Sequence, residues 1–416
     1  MERLQSAIGL VAFIGIALVL SKNRKAIRFR PVVWGLCLQL GLALLFIRFP
    51  GSTIIFRKLN RLVMVLQEAT EAGTSFVFGY LGGGELPFVE TYPGSSYILA
   101  FRGLPLVLLM YALTSLLFHW GILQKVVKLF SLLLKKVMGV SGCESLGVSA
   151  NVFVGMVEAP MFIRPYLEKL TRSELFAIMV GGMATIAGTM MVLYAQILSG
   201  VLENGMAHIL VASIISAPAA LTIAKIIIPE TGEPLENTFD VPRQTSGVVD
   251  AITVGALEGM KLLLNIIAML VVFVSLIHLV NSGLEFFPSF RGAPLSLERV
   301  IGWLMAPLAF LMGIPWEEAP AAGSLLGIKT ILNELLAFLK LSELDPGLLS
   351  SRSRIILTYA LCGFANFGSL GIMIGGLGAM APSRRGEIVQ LGIYSIIAGL
   401  LATMMTGAVI GMIGKF

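Results

Sequence analysis

Two glutamates interrupt long apolar segments, which makes them the first candidates for chemistry. Glu158 lies in the segment NVFVGMVEAP (151–160), where glycine and proline disturb helical regularity, and Glu334 lies in ILNELLAF (331–338). A carboxylate near the centre of a bilayer costs at least ~2.5 kcal/mol, so it must face a wet cavity, a partner or a bound solute. If these segments enter a membrane, we predict that both glutamates line a solute-binding site.

Each glutamate also has a purely structural interpretation. Glu158 is followed by Arg164 and Lys169, and Glu334 is preceded by Lys329, so each carboxylate has a cation within reach along the chain. A buried ion pair would neutralise the carboxylate without any solute. The sequence leaves both interpretations open.

Two further segments combine small residues with a few polar side chains. These are GGMATIAG (181–188), which contains Thr185, and GFANFGS (363–369), which contains Asn366. So many small residues inside a span predict locally unwound helix, and the carbonyl groups released there can bind a cation. Close packing of helices through small residues is the alternative.

The composition indicates that most of this chain lies in a lipid bilayer. Of its 416 residues, 56% are hydrophobic and 13% are charged, and several stretches of about 18 residues carry almost no charge. The formal charge of +6 resides in short clusters between apolar runs, which excludes a nucleic-acid surface and indicates cytoplasmic loops. We predict a multi-pass inner-membrane protein with basic cytoplasmic loops at 22–30, 125–136 and 384–385.

Signatures of enzymes are missing from the sequence. It contains no GxSxG, HExxH or Walker motif, and its three cysteines and three histidines do not stand at metal-ligand spacing. We therefore predict that the protein is not an enzyme and has no cofactor. A membrane-embedded enzyme acting on a nucleotide-like lipid is the non-transport alternative.

The predicted fold is all-α, with about eight transmembrane helices, two re-entrant helical hairpins and interfacial helices. The expected units are N-terminal scaffold helices with an interfacial helix (1–123), a first repeat unit (124–198), scaffold helices (199–290) and a second repeat unit (291–416). The hairpins are expected at about 140–169 and 315–347, the broken helices at about 173–198 and 351–377, and a cytoplasmic loop at about 229–250.

An inverted repeat is suggested by three matches in the same order. Gly139 matches Gly313, Glu158 matches Glu334, and the GMAT segment at 182–185 matches GFAN at 363–366. Three predicted spans separate the hairpins, and an odd number inverts the second unit, as in secondary transporters. Chance similarity among glycine-rich apolar segments is the alternative.

Taken together, these motifs resemble the concentrative nucleoside transporter family. The likeness rests on GMVEAP (155–160) followed by Arg164-Pro165, on Asn333-Glu334 and on CGFANFGS (362–369), and it extends over nearly the whole chain. It implies a homotrimer in which each subunit has its own nucleoside site between two hairpins and two broken helices.

The resemblance also implies roles for individual residues. Glu158 would hold the nucleobase side together with Met156 and Val157, while Glu334, Asn366 and Ser369 would bind the ribose, and Phe364 belongs to the same substrate-binding set. A carboxylate and an amide suit a vicinal diol, which offers two hydroxyl donors. The coupling ion would be sodium, held by Asn151, Val154, Thr185 and Ile186. Coupling to protons, transport of another ribosyl compound and an uncoupled channel remain open.

One departure from the family pattern generates a prediction. Family members commonly carry glutamine and threonine or serine where this chain has Met156 and Val157, so direct hydrogen bonds to the base are lost. The double substitution Met156→Gln with Val157→Thr should strengthen or widen uptake of pyrimidine nucleosides, because it restores those groups. Competition between radiolabelled uridine and a panel of nucleosides measures this, and an unchanged substrate profile would mean that neither side chain faces the base.

Overall fold

The computed structural model describes residues 2–48, 52–92, 95–156, 158–235, 245–290 and 294–414. Helices are the regular secondary structure of these ranges, which confirms the all-α fold class. The predicted site residue Val157 and residues 236–244 of the predicted loop lie outside the described residues.

The first half of the chain runs from the N-terminus to the first broken helix. Its helices are α1 (Glu2–Val19), α2 (Phe29–Arg48), α3 (Ser52–Phe78), α4 (Leu99–Arg102), α5 (Leu106–His119), α6 (Ile122–Met138), α7 (Gly142–Asn151), a 3₁₀ helix (Ala159–Lys169), α8 (Arg172–Ala184) and α9 (Gly188–Ile197). Here α7 and the 3₁₀ helix form the first helix–turn–helix segment, and α8 and α9 are two halves of one interrupted helix.

The second half contains a similar succession. Its helices are α10 (Gly205–Ile227), α11 (Val248–Leu284), α12 (Leu297–Leu311), α13 (Ala319–Ile331), α14 (Glu334–Glu343), α15 (Ser351–Leu361), α16 (Phe367–Met380) and α17 (Arg385–Ile413). The second helix–turn–helix segment is α13 with α14, and α15 and α16 are the halves of the second interrupted helix.

Long apolar helices account for most of the predicted spans. Within the described ranges, seven helical stretches are long and apolar enough to cross a membrane: 2–19, 29–48, 99–119, 172–197, 205–227, 248–284 and 382–413. The eighth predicted span is the α15–α16 pair, of which α16 is a shorter apolar helix and α15 carries Arg352 and Arg354. The chain is therefore a multi-pass membrane protein.

Local sequence signals fix where the helices of the two helix–turn–helix segments begin. Ser141 and Glu144 form a capping box at the start of α7, in which each side chain accepts a hydrogen bond from the other residue's backbone N–H. Asn333 caps α14 through its Oδ1, which accepts from Leu336 N at 2.9 Å. The caps satisfy backbone groups that would otherwise be costly to bury.

The two matching glycines have the same backbone role. Gly139 (φ +71°) ends α6 just before the first helix–turn–helix segment, and Gly313 (φ +97°) follows α12 just before the second. Left-handed backbone favours glycine because it lacks a Cβ. The match between these positions therefore corresponds to equivalent helix ends.

The two interrupted helices cross where each is broken. A Cβ atom built on Gly363, in the break between α15 and α16, would lie 2.9 Å from Met183 O and 3.0 Å from Ala184 O at the end of α8. Only glycine permits so close an approach of two backbones. The crossing therefore brings both breaks to the middle of the molecule.

The basic loops gather at one end of the molecule. Lys22 N donates to Ile227 O at the end of α10, and Arg30 donates to Lys136 O in the last turn of α6. Arg384 donates to Leu167 O, near the end of the first helix–turn–helix segment. The first helix–turn–helix segment starts at this end. The second starts at the other end, where Arg352 donates to the carbonyl groups of Gly313 and Gly411.

A buried cluster of charges ties the first helix–turn–helix segment to α10. Lys225 Nζ lies 2.6 Å from Glu144 Oε2 and 3.4 Å from Glu230 Oε2, and all three residues are buried. The same ammonium group donates to Ser173 Oγ at the start of α8. Lys225 on α10 thus joins α7, the start of α8 and the segment that follows α10.

Removing this lysine should destabilise the fold. Lys225→Met leaves two buried carboxylates without their cation, and breaking a buried pair in this way costs about 3–5 kcal/mol. We expect a clear fall in the thermal unfolding midpoint of the purified protein in detergent. Lys340→Met, which removes an exposed pair with Glu343, should cost less than about 1 kcal/mol. Equal midpoints for the two variants would contradict a stabilising role of Lys225.

Candidate functional site

A cavity of about 370 Å³ opens at the crossing of the two interrupted helices. Its wall combines residues of α5, α9, α11 and α16 with residues of the turns in both helix–turn–helix segments. Among the lining residues are Tyr111, Met156, Glu158, Thr189, Tyr194, Glu258, Lys261, Asn265, Glu334, Phe364, Asn366 and Ser369. The size is that of a small-molecule site.

Glu334 is the most constrained acid of this cavity. Its carboxylate accepts a hydrogen bond from Tyr194 OH at 2.6 Å through Oε1, and one from Asn366 Nδ2 at 3.0 Å through Oε2. Glu334 is also the first residue of α14, where the exposed N–H groups and the helix dipole favour a negative charge. The carboxylate is therefore held in one orientation, and each oxygen keeps a lone pair for a further donor.

Asn366 connects this acid to the second break. Its Oδ1 accepts from Ser369 N at 2.7 Å, which caps α16, while its Nδ2 donates to Glu334. Asparagine is a preferred N-cap residue, and here it also lies at the point where the interrupted helix resumes. The break in the helix thus positions an amide beside the carboxylate.

Glu158 lines the same cavity in a less enclosed position. Its Oε1 accepts a hydrogen bond from Tyr111 OH on α5 at 3.2 Å, and the residue is only partly buried. Met156 and Phe364 present apolar surface to the same cavity, with 8% and 9% of their area exposed. The cavity therefore also offers apolar contact in addition to its carboxylates.

The residues predicted to hold a cation lie next to this cavity. Asn151 and Thr185 are both 1% exposed, and Val154 and Ile186 are buried with them. Asn151 Nδ2 donates to Gly147 O, whereas its Oδ1 has no hydrogen-bond partner in the described part of the chain. A buried acceptor without a donor is costly, so this oxygen suits a cation ligand.

The first turn packs tightly against the first break. Gly188 N donates to Phe153 O at 3.0 Å, and a Cβ atom on Gly188 would lie only 2.6 Å from that oxygen. A Cβ atom on Gly182 would lie 3.7 Å from Asn151 Oδ1. These contacts bring the unpartnered oxygen of Asn151 to the backbone of the interrupted helix.

The structure brings ten of the eleven predicted site residues together in two adjacent groups. Met156, Glu158, Glu334, Phe364, Asn366 and Ser369 line the cavity; Asn151, Val154, Thr185 and Ile186 lie around the first break. Val157, the eleventh, lies outside the described residues. Their roles in binding stay predictions.

Sequence reasoning missed the tyrosines that orient both acids. Tyr194 lies 140 positions from Glu334 along the chain, and Tyr111 lies 47 positions from Glu158. The one available signal was a hydroxyl-bearing aromatic inside an apolar helix, which is compatible with many roles. The sequence predicts α11 only as a further membrane span, so it gave no reason to assign its polar residues Glu258, Lys261 and Asn265 to the cavity.

Three family models match successive parts of the chain. The model described as the N-terminus of Na⁺-dependent nucleoside transporters matches residues 8–81, and the model of the C-terminus of these transporters matches residues 208–411. A third, described as nucleoside recognition, matches residues 100–200.

Full-length relatives agree with these matches. An uncharacterized transporter of Haemophilus influenzae is 40% identical over 99% of this chain and 98% of its own length. The uncharacterized transporter YutK of Bacillus subtilis is 38% identical over 99% of this chain and its whole length. Human solute carrier family 28 member 3 is 38% identical over the whole of this chain and 60% of its own length.

Solved structures show the same fold. The transporter CNTnw in an inward-facing, substrate-bound state superposes with a TM-score of 0.92 at 34% identity, covering 99% of this chain and 98% of CNTnw. A doubly substituted variant of CNTnw in an outward-facing state also superposes with a TM-score of 0.92, and the match covers 99% of this chain and 97% of the variant.

The hydrogen bond from Tyr194 to Glu334 should matter for binding. Tyr194→Phe removes one donor to a buried carboxylate, and hydrogen bonds to charged groups are worth about 1.5–3 kcal/mol. We expect uridine affinity to fall by about tenfold or more, measured by calorimetry on purified protein. The matched control is Tyr359→Phe, which removes a buried hydroxyl bonded to His208 outside the cavity. Equal affinities in both variants would exclude Tyr194 from the binding site.

Proposed function

Since the chain belongs to the concentrative nucleoside transporter family, we propose that it imports nucleosides across the inner membrane in symport with a cation, sodium being favoured. Members of this family are transporters and not enzymes. The observation that carries the proposal is the Glu334–Asn366 pair inside a cavity of small-molecule size.

Ribose is the part of a nucleoside that this pair suits. A vicinal diol can donate two hydrogen bonds to a carboxylate, and an amide beside the carboxylate can both donate and accept. Tyr194 and the N-terminus of α14 hold Glu334 ready for this interaction, so little rearrangement would be needed on binding. Ser369, on the next turn of α16, adds a hydroxyl on the same side of the cavity.

The nucleobase would lie against the apolar residues of the cavity. Met156 and Phe364 offer a thioether and an aromatic ring, which favour contact with the faces of a base rather than with its polar edges. Glu158, oriented by Tyr111, supplies an acceptor there. This arrangement supports binding of a nucleoside with fewer polar contacts to the base than to the ribose.

The group around Asn151 would bind the coupling cation. Its ligands would be Asn151 Oδ1, the Thr185 hydroxyl and the carbonyl groups of Val154 and Ile186, and hard cations such as Na⁺ prefer such oxygen donors. The unpartnered Oδ1 supports this assignment. Because the first turn also carries Met156 and Glu158 to the cavity, a cation here would help to fix the substrate site.

Membrane topology and assembly complete the proposal. The helix–turn–helix segments at 140–169 and 315–347 would be re-entrant hairpins, since they start at opposite ends of the molecule. The family resemblance implies a homotrimer, and the largely exposed apolar surface of α11 is compatible with contacts to other subunits or lipid. The basic loops would face the cytoplasm.

Gradient-driven uptake tests the proposed function. Proteoliposomes should accumulate radiolabelled uridine under an inward sodium gradient and not without a gradient. Accumulation under an inward proton gradient alone would identify the proton, instead of sodium, as the coupling ion. Failure of uridine and adenosine to accumulate under every gradient would contradict nucleoside symport.

Thr185 connects this experiment to the proposed cation site. Thr185→Ala removes one oxygen ligand, so the sodium concentration for half-maximal uptake should rise by about tenfold, as expected for a loss of about 1.4 kcal/mol. Thr222→Ala is the matched control, because both hydroxyls are buried and each donates to the carbonyl four residues earlier at 2.8 Å. An unchanged sodium requirement in Thr185→Ala would remove this residue from the cation site.

A further inference from the structure

Helix α6 carries a group of lysines that have no acidic partner. Its residues 122–138 include Lys125, Lys128, Lys135 and Lys136 but no aspartate or glutamate. Within the described ranges, none of these ammonium groups forms an ion pair. Three of the lysines are exposed, and Lys135 is half-buried. The positive charge of this helix is therefore not compensated by the described part of the chain.

The helix itself accounts for only two of the four lysines. Lys135 and Lys136 lie in the last turn of α6, where the helix dipole favours a cation. Lys125 is the fourth residue of α6, at the end of the first turn, where the dipole favours an anion instead. Lys128 lies between the two ends and gains little from either. The lysines of the first half therefore indicate an anion that the described residues do not supply.

Around its axis, α6 has three distinct faces. One face is buried in the protein and consists of Leu123, Val127, Ser131, Leu134 and Met138. Because successive residues turn by about 100° around a helix, the four lysines share a second, basic face about 130° from the buried one. A third, apolar face lies about 130° from the buried one in the opposite direction. It carries the exposed side chains Ile122, Val126, Leu129 and Leu133, while Leu132 is exposed among the lysines.

An apolar face beside a lysine-rich face is typical of a helix in the membrane interface. With 17 residues, α6 is about 25 Å long, which is shorter than the ~30 Å hydrocarbon core, so it does not cross the membrane. Leu129 on its apolar face exposes 73% of its area. Acyl chains would cover this face and remove its apolar surface from water. Lysine side chains can meanwhile extend their ammonium groups to the level of the headgroups.

The basic face lies at the end of the molecule where the basic loops gather. Arg30, from the loop before α2, donates to Lys136 O and adds a further cation. In the middle of α6, Ser131 Oγ lies 3.0 Å from Ser145 Oγ in the first turn of α7, which starts at the same end. This end is proposed to face the cytoplasm, and the cytoplasmic leaflet attracts clusters of lysine and arginine through its anionic lipids.

From these observations we propose that α6 binds an anionic phospholipid, with its phosphate headgroup on the basic face and its acyl chains on the apolar face. A free phosphate ion would satisfy only the lysines, and a neighbouring subunit on the apolar face would leave the lysines without an anion. An anionic lipid satisfies both faces at once. The site is additional to the proposed nucleoside and cation sites, and it does not depend on transport.

A lipid bound here would stabilise the element that leads into the first helix–turn–helix segment. Phe130 on α6 packs edge-on against Phe153 in the first turn, with their ring centroids 6.5 Å apart. At its other end α6 stops at Gly139, two residues before Ser141, which caps α7. Loss of the lipid should therefore loosen the part of the molecule that carries Glu158 and the proposed cation site.

Thermal unfolding of the purified protein in detergent tests the basic face. Phosphatidylglycerol should raise the unfolding midpoint by several degrees more than phosphatidylcholine with the same acyl chains. The double substitution Lys125→Gln with Lys128→Gln should remove most of this difference. The matched control, Lys58→Gln with Lys340→Gln, removes two exposed lysines on other helices and should keep it. An undiminished difference in the first variant, or an equal loss in the control, would overturn the proposal.

Glycerophosphoglycerol, the headgroup without acyl chains, separates a lipid from a free phosphate compound. At the concentration at which phosphatidylglycerol raises the midpoint, the headgroup alone should have little effect, because it cannot cover the apolar face. A gain equal to that of phosphatidylglycerol would show that a soluble phosphate compound suffices, which would overturn the proposed lipid site.

A nitroxide label on the apolar face tests what covers it. Leu129→Cys is labelled in a Cys37→Ser background, in which the two remaining cysteines are buried, and is reconstituted in liposomes that contain phosphatidylglycerol. Collisions of the label with oxygen, which concentrates in the bilayer, should outnumber those with a water-soluble nickel complex, and this ratio should be smaller for Lys128→Cys. Protection of position 129 from both reagents would mean that protein covers this face, and would overturn the proposal.

Discussion

The structure depends on one constraint: a helix broken inside an apolar medium exposes backbone groups that cannot be left without partners. In both interrupted helices, side chains from other elements form hydrogen bonds with such backbone groups. Ser213 bonds to both backbone groups of Ile186 at the first break, and Lys329 bonds to Ala360 O before the second. The packing of α10, α13 and α17 around the breaks follows from this need.

The same constraint shapes the cavity. A helix that stops and resumes provides an N-cap in the middle of the molecule, and Asn366 uses that position to hold both the backbone of Ser369 and the carboxylate of Glu334. The crossing of the two breaks places these groups beside the turns of both helix–turn–helix segments. Substrate and cation would therefore bind where the fold is least regular, and movement of either turn would alter both sites.

The sequence was informative where a residue type is rare in its surroundings. Acids in apolar segments and small residues inside spans pointed to Glu158, Glu334 and the segments around Thr185 and Asn366, and the family membership predicted from them is confirmed by full-length relatives. Gly139 and Gly313, which the predicted repeat matches, both have left-handed backbone next to a helix end.

What could not be predicted depends on contacts between distant parts of the chain. The tyrosine that orients Glu334 and the lysine that pairs with Glu144 carry no local signal, because each partner comes from another helix. The sequence leaves Lys329 as a possible partner of Glu334 and gives no sign that its ammonium group also donates to Ala360 O and Thr403 Oγ1. Such assignments require the packed structure.

The central claim is that Glu334 recognises the ribose of a nucleoside. The most direct measurement compares the affinities of uridine and 2′,3′-dideoxyuridine by calorimetry, in the unmodified protein and in Glu334→Gln. If Glu334 accepts from the diol, the unmodified protein should prefer uridine by about tenfold or more, and the preference should largely disappear in Glu334→Gln. Equal affinity for the two compounds in the unmodified protein, or an undiminished preference in the variant, would contradict the account.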